Sequence, residues 1–361
     1  MNVVIAFPSS FVDRRALALT IKKFAHERMS VVIEDSYIVC ESKDPVEFAS
    51  RLARLFGVEK VAVAKKVSSN NYSDLCRAIV EVGAKVIMPG DSFYIKVIQE
   101  PARHDYVSRD IEFAACGMLT ARLSSMNAHP AKSEADARHM LLIVIGKKSA
   151  YICIQLIHAP GGLLPGSKGR ALSSIHGSLS FLSSLMAAKS GFEPTIVLPY
   201  LDERDLLRNA KLAELFASRT GRKKQTILLM PINLPRQDAD VTLLKEKLMS
   251  KILIHHEDNR IVFPFTIAVH PVWLIETIMQ ESLTAGKTPY TPLIFMSTEI
   301  VTYAQETGIA LDISDMSMTL QNKLQRFRDK IDSEAKAAIN HTKKVELTVG
   351  PNYLHDIIDS I

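Results

Sequence analysis

Cysteine is scarce in this chain and never clustered: Cys40, Cys76, Cys116 and Cys153 stand far apart, with no CxxC pair. That spacing excludes a zinc ribbon or a dithiol redox motif and leaves reduced, buried, small apolar side chains. Long apolar runs are missing too. No stretch approaches 18 apolar residues without a charge, which excludes a membrane-spanning helix of ordinary kind. The opening Met1 to Pro8 lacks the basic flank and cleavage site of a secretion signal, so the expected location is cytoplasmic, with no membrane partner. Neither sign of charge dominates, since the net charge is only +5.

The residues that are present suit ordinary globular packing. Apolar residues make up 47% and charged residues 23% of 361 positions, enough length for two or three cores. The small positive excess is uneven. Residues 1–175 hold 23 Lys and Arg against 17 Asp and Glu, and residues 176–361 hold 21 against 22. A phosphate-binding surface is therefore expected in the first half, if anywhere.

Hydrophobic periodicity predicts strand, helix, hairpin, helix, strand over the first 66 residues. Leu17, Ile21 and Phe24 recur at helical spacing, as do Phe48, Leu52 and Leu55; Val3 to Ala6 and Val58 to Ala64 read as strands. The order βαββαβ is the ferredoxin-like arrangement. A helix over 71–83, a strand at Phe93 to Ile98, a long helix over 106–125 and two strands at 140–157 follow. Past residue 170, strands at Ala171 to Ile175, Thr195 to Leu198, Gln225 to Pro231 and Ile261 to Val269 alternate with helices, which implies a parallel sheet covered on both faces. The polar stretch 317–342 reads as a helix, its mixed charges as a surface or partner-facing side, and Lys344 to Val349 as an edge strand.

Between these halves lies Pro160-Gly161-Gly162-Leu163-Leu164-Pro165-Gly166-Ser167-Lys168-Gly169-Arg170, punctuation dense enough to mark a specialised loop. With the strands Leu141 to Ile145 and Ala150 to Ile154 before it, and Thr291-Pro292-Leu293-Ile294 later, this run resembles the tRNA 4-thiouridine synthetases of the tRNA sulfurtransferase family. The resemblance implies an α/β protein: a ferredoxin-like domain at 1–66, a THUMP domain at 67–165, a Rossmann-like, adenine nucleotide alpha hydrolase-like parallel sheet at 166–315 with a degenerate PP-loop, and a C-terminal helical extension at 316–361. It also implies RNA as partner, most naturally the acceptor end of tRNA, held by Lys96, Arg103, Arg109, Lys132, Arg138, Lys147, Lys148, Lys168 and Arg170.

The departures from that family shape the functional expectation. Its active members carry Ser-Gly-Gly-x-Asp-Ser, whose glycines admit backbone amides to nucleotide phosphates. Here the equivalent residues are His176, Gly177, Ser178, Leu179, Ser180 and Phe181, so one glycine remains and Phe181 is expected to block the cradle. Sulfur transfer needs a thiolate in this domain, and no cysteine follows Cys153. His176, Gly177, Ser178 and Ser180 thus read as a loop remnant, with no catalytic residue, cofactor or metal expected. The expectation is a non-catalytic RNA-binding relative. The alternatives are a divergent ATP-dependent thiolation enzyme or a subunit of one, with ATP its only cofactor, and an adaptor without an RNA role; a homodimer or protein partner stays open. His255-His256-Glu257-Asp258 reads as a polar turn, because adjacent residues do not share a face. Zinc deaminase and methyltransferase signatures are absent.

Overall fold

A computed structural model of the chain describes residues 2–25, 29–34, 36–69, 71–100, 105–147, 149–220, 224–233, 241–309, 328–350 and 352–360. The chain divides into two compact units, Met1–Gly161 and Gly162–Ile361. Among the described residues no helix is long and apolar enough to cross a membrane.

The first unit begins with β1 (Asn2–Pro8), α1 (Arg14–Phe24), β2 (Ser30–Ile33), β3 (Ile38–Glu41), α2 (Pro45–Leu52) and β4 (Val58–Val67). Local chemistry starts the helices where it should. The Asp13 carboxylate accepts from the Arg15 amide at the head of α1, and Asp44 accepts from Glu47 at the head of α2, with Pro45 in the first turn. The strands lie in the order β2-β3-β1-β4, the ferredoxin-like order.

Next come α3 (Tyr72–Val86), β5 (Ser92–Gln99), α4 (Ser108–Leu123), β6 (His129–Pro130), β7 (His139–Ile145) and β8 (Ala150–His158). β8 pairs antiparallel with β4, so both halves of the unit share one eight-stranded sheet. On one face Phe93, Ile95, Val97, Leu141 and Ile143 pack with Leu75, Ile79 and Ile111 from α3 and α4. The other face curls over its own apolar side chains. Ser36 beside β3 donates to Glu100 beyond β5, and the Tyr37 and Tyr151 rings meet edge-on at 5.9 Å across the intervening strands.

Burial sets the chemistry of the cysteines. It pushes the Cys40 and Cys153 thiols up to about 12 and raises Cys76 and Cys116 as well, but Cys116 alone of the four is only half-buried and open to a reagent. Native protein at neutral pH is therefore expected to take up one equivalent of a maleimide quickly, at Cys116, and four after denaturation, which mass spectrometry of the labelled chain checks.

The second unit contains β9 (Arg170–Ser174), α5 (Ser178–Lys189), β10 (Glu193–Tyr200), α6 (Glu203–Thr220), β11 (Lys224–Pro231), α7 (Val241–His255), β12 (Arg260–Val262), α8 (Val272–Thr284), β13 (Thr288–Tyr290), α9 (Thr298–Glu306), α10 (Arg328–Asn340), β14 (Lys343–Thr348) and α11 (Tyr353–Asp359). The sheet order is β13-β12-β9-β10-β11-β14, parallel except for β14. Successive strands leave β9 first to one side and then to the other. That reversal opens a crevice at the carboxyl end of β9, where sheets of this class hold ligands.

Two expectations change. The strand read over Ile261 to Val269 is regular only to Val262, because Pro264 has no amide to donate to a ladder. The charged helix read as surface or partner-facing has an inner face: Ile331, Ala335 and Ala338 of α10 are buried against α7, and residues 317–327 lie outside the described ones. The edge strand read at Lys344 to Val349 is β14, the sixth strand of this sheet, and α11 packs on α6.

The glycine-rich run is explained by close backbone approach. Gly162 has φ +81° and a Cβ there would lie 2.5 Å from the Lys189 carbonyl oxygen, which already accepts from the Leu163 amide at 2.8 Å. Gly162→Ala is expected to cost about 2–3 kcal/mol, a left-handed penalty of about 1–2 plus the clash. Gly90 at φ +80° faces open space, so Gly90→Ala should cost only the left-handed penalty of about 1–2 kcal/mol. Denaturant midpoints of the two variants check the difference.

Candidate functional site

The turn after β9 is built from Ile175, His176 and Gly177, and α5 starts at Ser178. Gly177 is extended, with φ 171°. The Ser180 hydroxyl donates to the Gly177 carbonyl and accepts from the His176 amide, each at 2.9 Å, so the His176 amide is spent within the turn. Phe181, expected to block the cradle in part, is wholly buried on α5 (0% exposed), a helix in which eight of twelve residues are buried.

Glu246 of α7 closes the loop. Its Oε1 lies 2.9 Å from His176 Nε2, and the two side chains are 8% and 4% exposed. Burial alone would raise the Glu246 carboxyl, but His176, with His270 and Lys245 behind it, outweighs that and holds it below the usual carboxylate range. An ionised carboxylate only accepts, so His176 Nε2 carries the proton it shares. His176 Nδ1, Glu246 Oε2 and Ser174 Oγ are buried without a hydrogen-bond partner among the described residues.

A second buried pair adjoins this one in sequence. Lys245 reaches Asp205 at 2.8 Å, both about nine-tenths buried, and Arg208 binds the same carboxylate. Burial lowers the Lys245 ammonium more than Asp205 restores it. The Leu201 amide donates to Asp205, which fixes that carboxylate just beyond the end of β10. The carboxyl ends of β9 and β10 are thus filled by two side-chain ion pairs. A carboxylate held in such a pair accepts from donors.

None of Glu246, His270, Lys245 or Asp205 was singled out from the sequence. One signal was present: α7 carries Lys245 and Glu246 amid apolar residues with little segregation to one side, so charges there must be buried.

The basic residues proposed for RNA fall into distinct settings. In the first unit Lys96 on β5 pairs with Glu134, and Arg138 binds the buried Asp91 at 2.9 Å together with His139 at 2.8 Å. Arg109 on α4, Lys132 and Lys147 are exposed. In the second unit Lys168 and Arg170 are exposed, with Lys168 Nζ 5.9 Å from the centre of the Phe192 ring. Arg103 and Lys148 lie outside the described residues. From Ala137 to Phe192 the sequence has no acidic residue. Among the described residues there is no group of three or more potential metal-ligating His, Cys, Asp or Glu side chains; His256 Nδ1 lies 3.1 Å from Asp258.

Comparison with known families finds none whose profile matches the chain. Among individual proteins it is similar to a probable tRNA sulfurtransferase of Lactobacillus acidophilus, 22% identical over 205 residues that cover 55% of this chain and 47% of the relative. That of Enterococcus faecalis is 25% identical over 184 residues, 49% and 44% of the two chains. The chain spans about half the length of the curated relatives it matches. Among solved structures, a 4-thiouridine synthetase in complex with RNA and ATP superposes with a TM-score of 0.69 at 15% identity, over 96% of this chain and 100% of that one. The PH1313 protein from Pyrococcus horikoshii Ot3 gives 0.62 at 20% identity, over 86% and 100%. The chain therefore has the fold of the 4-thiouridine synthetase and resembles the tRNA sulfurtransferases, as the Pro160 to Arg170 run implied.

Proposed function

We propose that this protein binds structured RNA, the acceptor end of tRNA above all, without catalysing ATP-dependent thiolation. Two lines support the RNA half: the shared fold with a synthetase that was solved on RNA, and the acid-free stretch carrying Lys147, Lys148, Lys168 and Arg170. Contacts from such residues to phosphate give affinity and register, not sequence reading.

The observation that carries the non-catalytic half is the Glu246–His176 pair at the carboxyl end of β9. ATP does not fit the residues found there. Its phosphates would meet the buried His176–Glu246 pair where a glycine-rich turn offers amides, with one glycine in the turn and the His176 amide already bonded to Ser180. The second unit also offers no cysteine to carry sulfur.

Binding of the purified chain to bulk tRNA, with and without its 3′ end, over a salt series and beside an ATP titration, tests both halves. Affinity that falls with salt and with loss of the end, and no heat or fluorescence response to ATP, supports the reading. No tRNA binding at low salt removes the RNA half, and saturable ATP binding removes the other.

A further inference from the structure

A cavity of about 460 Å³ opens on the second unit at the amino ends of its strands, where Arg170, Glu193 and Lys224 begin β9, β10 and β11. It lies at the other end of the sheet from the His176–Glu246 crevice. Register builds its floor: Glu193 pairs with Arg170, Thr195 stands one place before the Ile196–Ile227 pair and so beside Thr226, and Thr226 faces Glu346 of β14. These side chains share one face of the sheet, the face whose Leu172, Val197 and Leu228 pack with α7. One side wall is the turn after α7, which carries Glu257 and Asp258 and is pinned where Lys287 donates to the His256 and Asp258 carbonyls. Lys344 of β14 lines the opposite side.

The charges are sorted along the length of this cavity. Glu257 and Asp258 stand at the carboxyl end of α7, whose last carbonyls add partial negative charge. At the far side Lys224 is matched by Glu346 at 2.9 Å, whereas Lys344 has no ion pair among the described residues. Between the two ends the Thr195 and Thr226 hydroxyls carry no hydrogen bond among the described residues, and each can donate and accept. Charge selects the occupant. A phosphate ester would meet Glu193, Glu257, Asp258 and Glu346, and a polyamine would meet Arg170, Lys224 and Lys344. A zwitterion with its two charges far apart satisfies both ends. From β9 to β14 is three strand spacings, about 14 Å. An extended peptide advances about 3.3–3.6 Å per residue, so about three residues and the Lys344 stem cover that span. We propose that this cavity binds a short zwitterionic peptide, its ammonium at Glu257 and Asp258, its carboxylate at Lys344 and its peptide groups over Thr195 and Thr226.

Isothermal titration calorimetry of the full chain tests this with tri-alanine as the probe, beside its N-acetyl form, its carboxamide form and free alanine. Tri-alanine is expected to bind saturably with a Kd below about 1 mM, and each of the other three at least about tenfold more weakly, since each lacks one end charge or the length to reach both. Lys344→Glu, at an exposed position, should weaken tri-alanine at least about tenfold with an unchanged circular dichroism melt, and should erase the preference for the free carboxylate over the carboxamide. Lys211→Glu, an exposed charge on α6 outside the cavity, should leave binding unchanged. No saturable heat from tri-alanine up to about 10 mM overturns the proposal. So does a blocked peptide or free alanine that binds as tightly as tri-alanine, or a Lys344→Glu variant that binds like the wild type or no worse than Lys211→Glu.

Discussion

Truncating Glu246 to alanine is expected to destabilise the second unit by about 3–5 kcal/mol, the cost of breaking a buried ion pair from one side. His176 would lose its only side-chain partner among the described residues, in a site where the side chain is 4% exposed, and α7 would lose a bond that ties it to the turn after β9. Glu246→Gln keeps the shape and one acceptor, so its cost should be smaller, and its main effect should appear in the pH dependence. The Glu246 carboxyl titrates below its ordinary value in the folded protein. Below the ordinary carboxyl value the unfolded chain therefore binds the extra proton, and stability rises with pH across that interval. The contribution is fully present above about 4.3–4.5, the unfolded range, and is lost as pH falls through the lower, folded value. Urea midpoints at pH 7, 4.5, 4 and 3.5 should show the wild type converging on Glu246→Gln as the pH drops. A pH-independent gap between the two would mean that the Glu246 carboxyl titrates alike in the folded and unfolded chain, with no net stabilisation of its ionised form by the fold.

The second large effect concerns RNA. Reversing both exposed charges of the glycine-rich run, Lys168→Glu with Arg170→Glu, should lower tRNA affinity about 100-fold near physiological salt and reduce the log-affinity against log-salt slope by about two, one per lost phosphate contact. By contrast, Lys96→Ala and Arg138→Ala should change affinity less than about threefold, because Glu134 and Asp91 already balance those charges. Fluorescence anisotropy of labelled tRNA between 50 and 200 mM salt reads both quantities. A double variant that binds with the wild-type slope would move the RNA contact away from this run.

Much of the architecture was legible in the sequence because it is written in neighbours. Phe93, Ile95 and Val97 alternate, so β5 shows a core face whatever lies beyond it. Leu17 and Ile21 lie one turn apart, so α1 declares its inner stripe. Gly162 had to be glycine for a reason its own backbone angle supplies. The departure of His176 to Phe181 from the glycine-rich turn of the tRNA sulfurtransferases was likewise visible in six consecutive residues.

What only the tertiary structure decided depends on partners far along the chain. The β4–β8 pairing, which makes one sheet of eight strands, joins segments some ninety residues apart, and nothing in either strand names the other. Pro264 cut a strand short at a place where the apolar run Ile261 to Phe265 argued for continuing it. His176 and Glu246 stand 70 residues apart; each alone is an unremarkable polar residue, and the pair exists because the sheet order delivers the end of β9 and the start of α7 to the same crevice. Periodicity and turn chemistry act over one helical turn or one pleat and so can be read in sequence. Whether a buried charge is met by its counter-charge is a matter of topology, and burial magnifies the consequence because the low dielectric leaves no water to substitute.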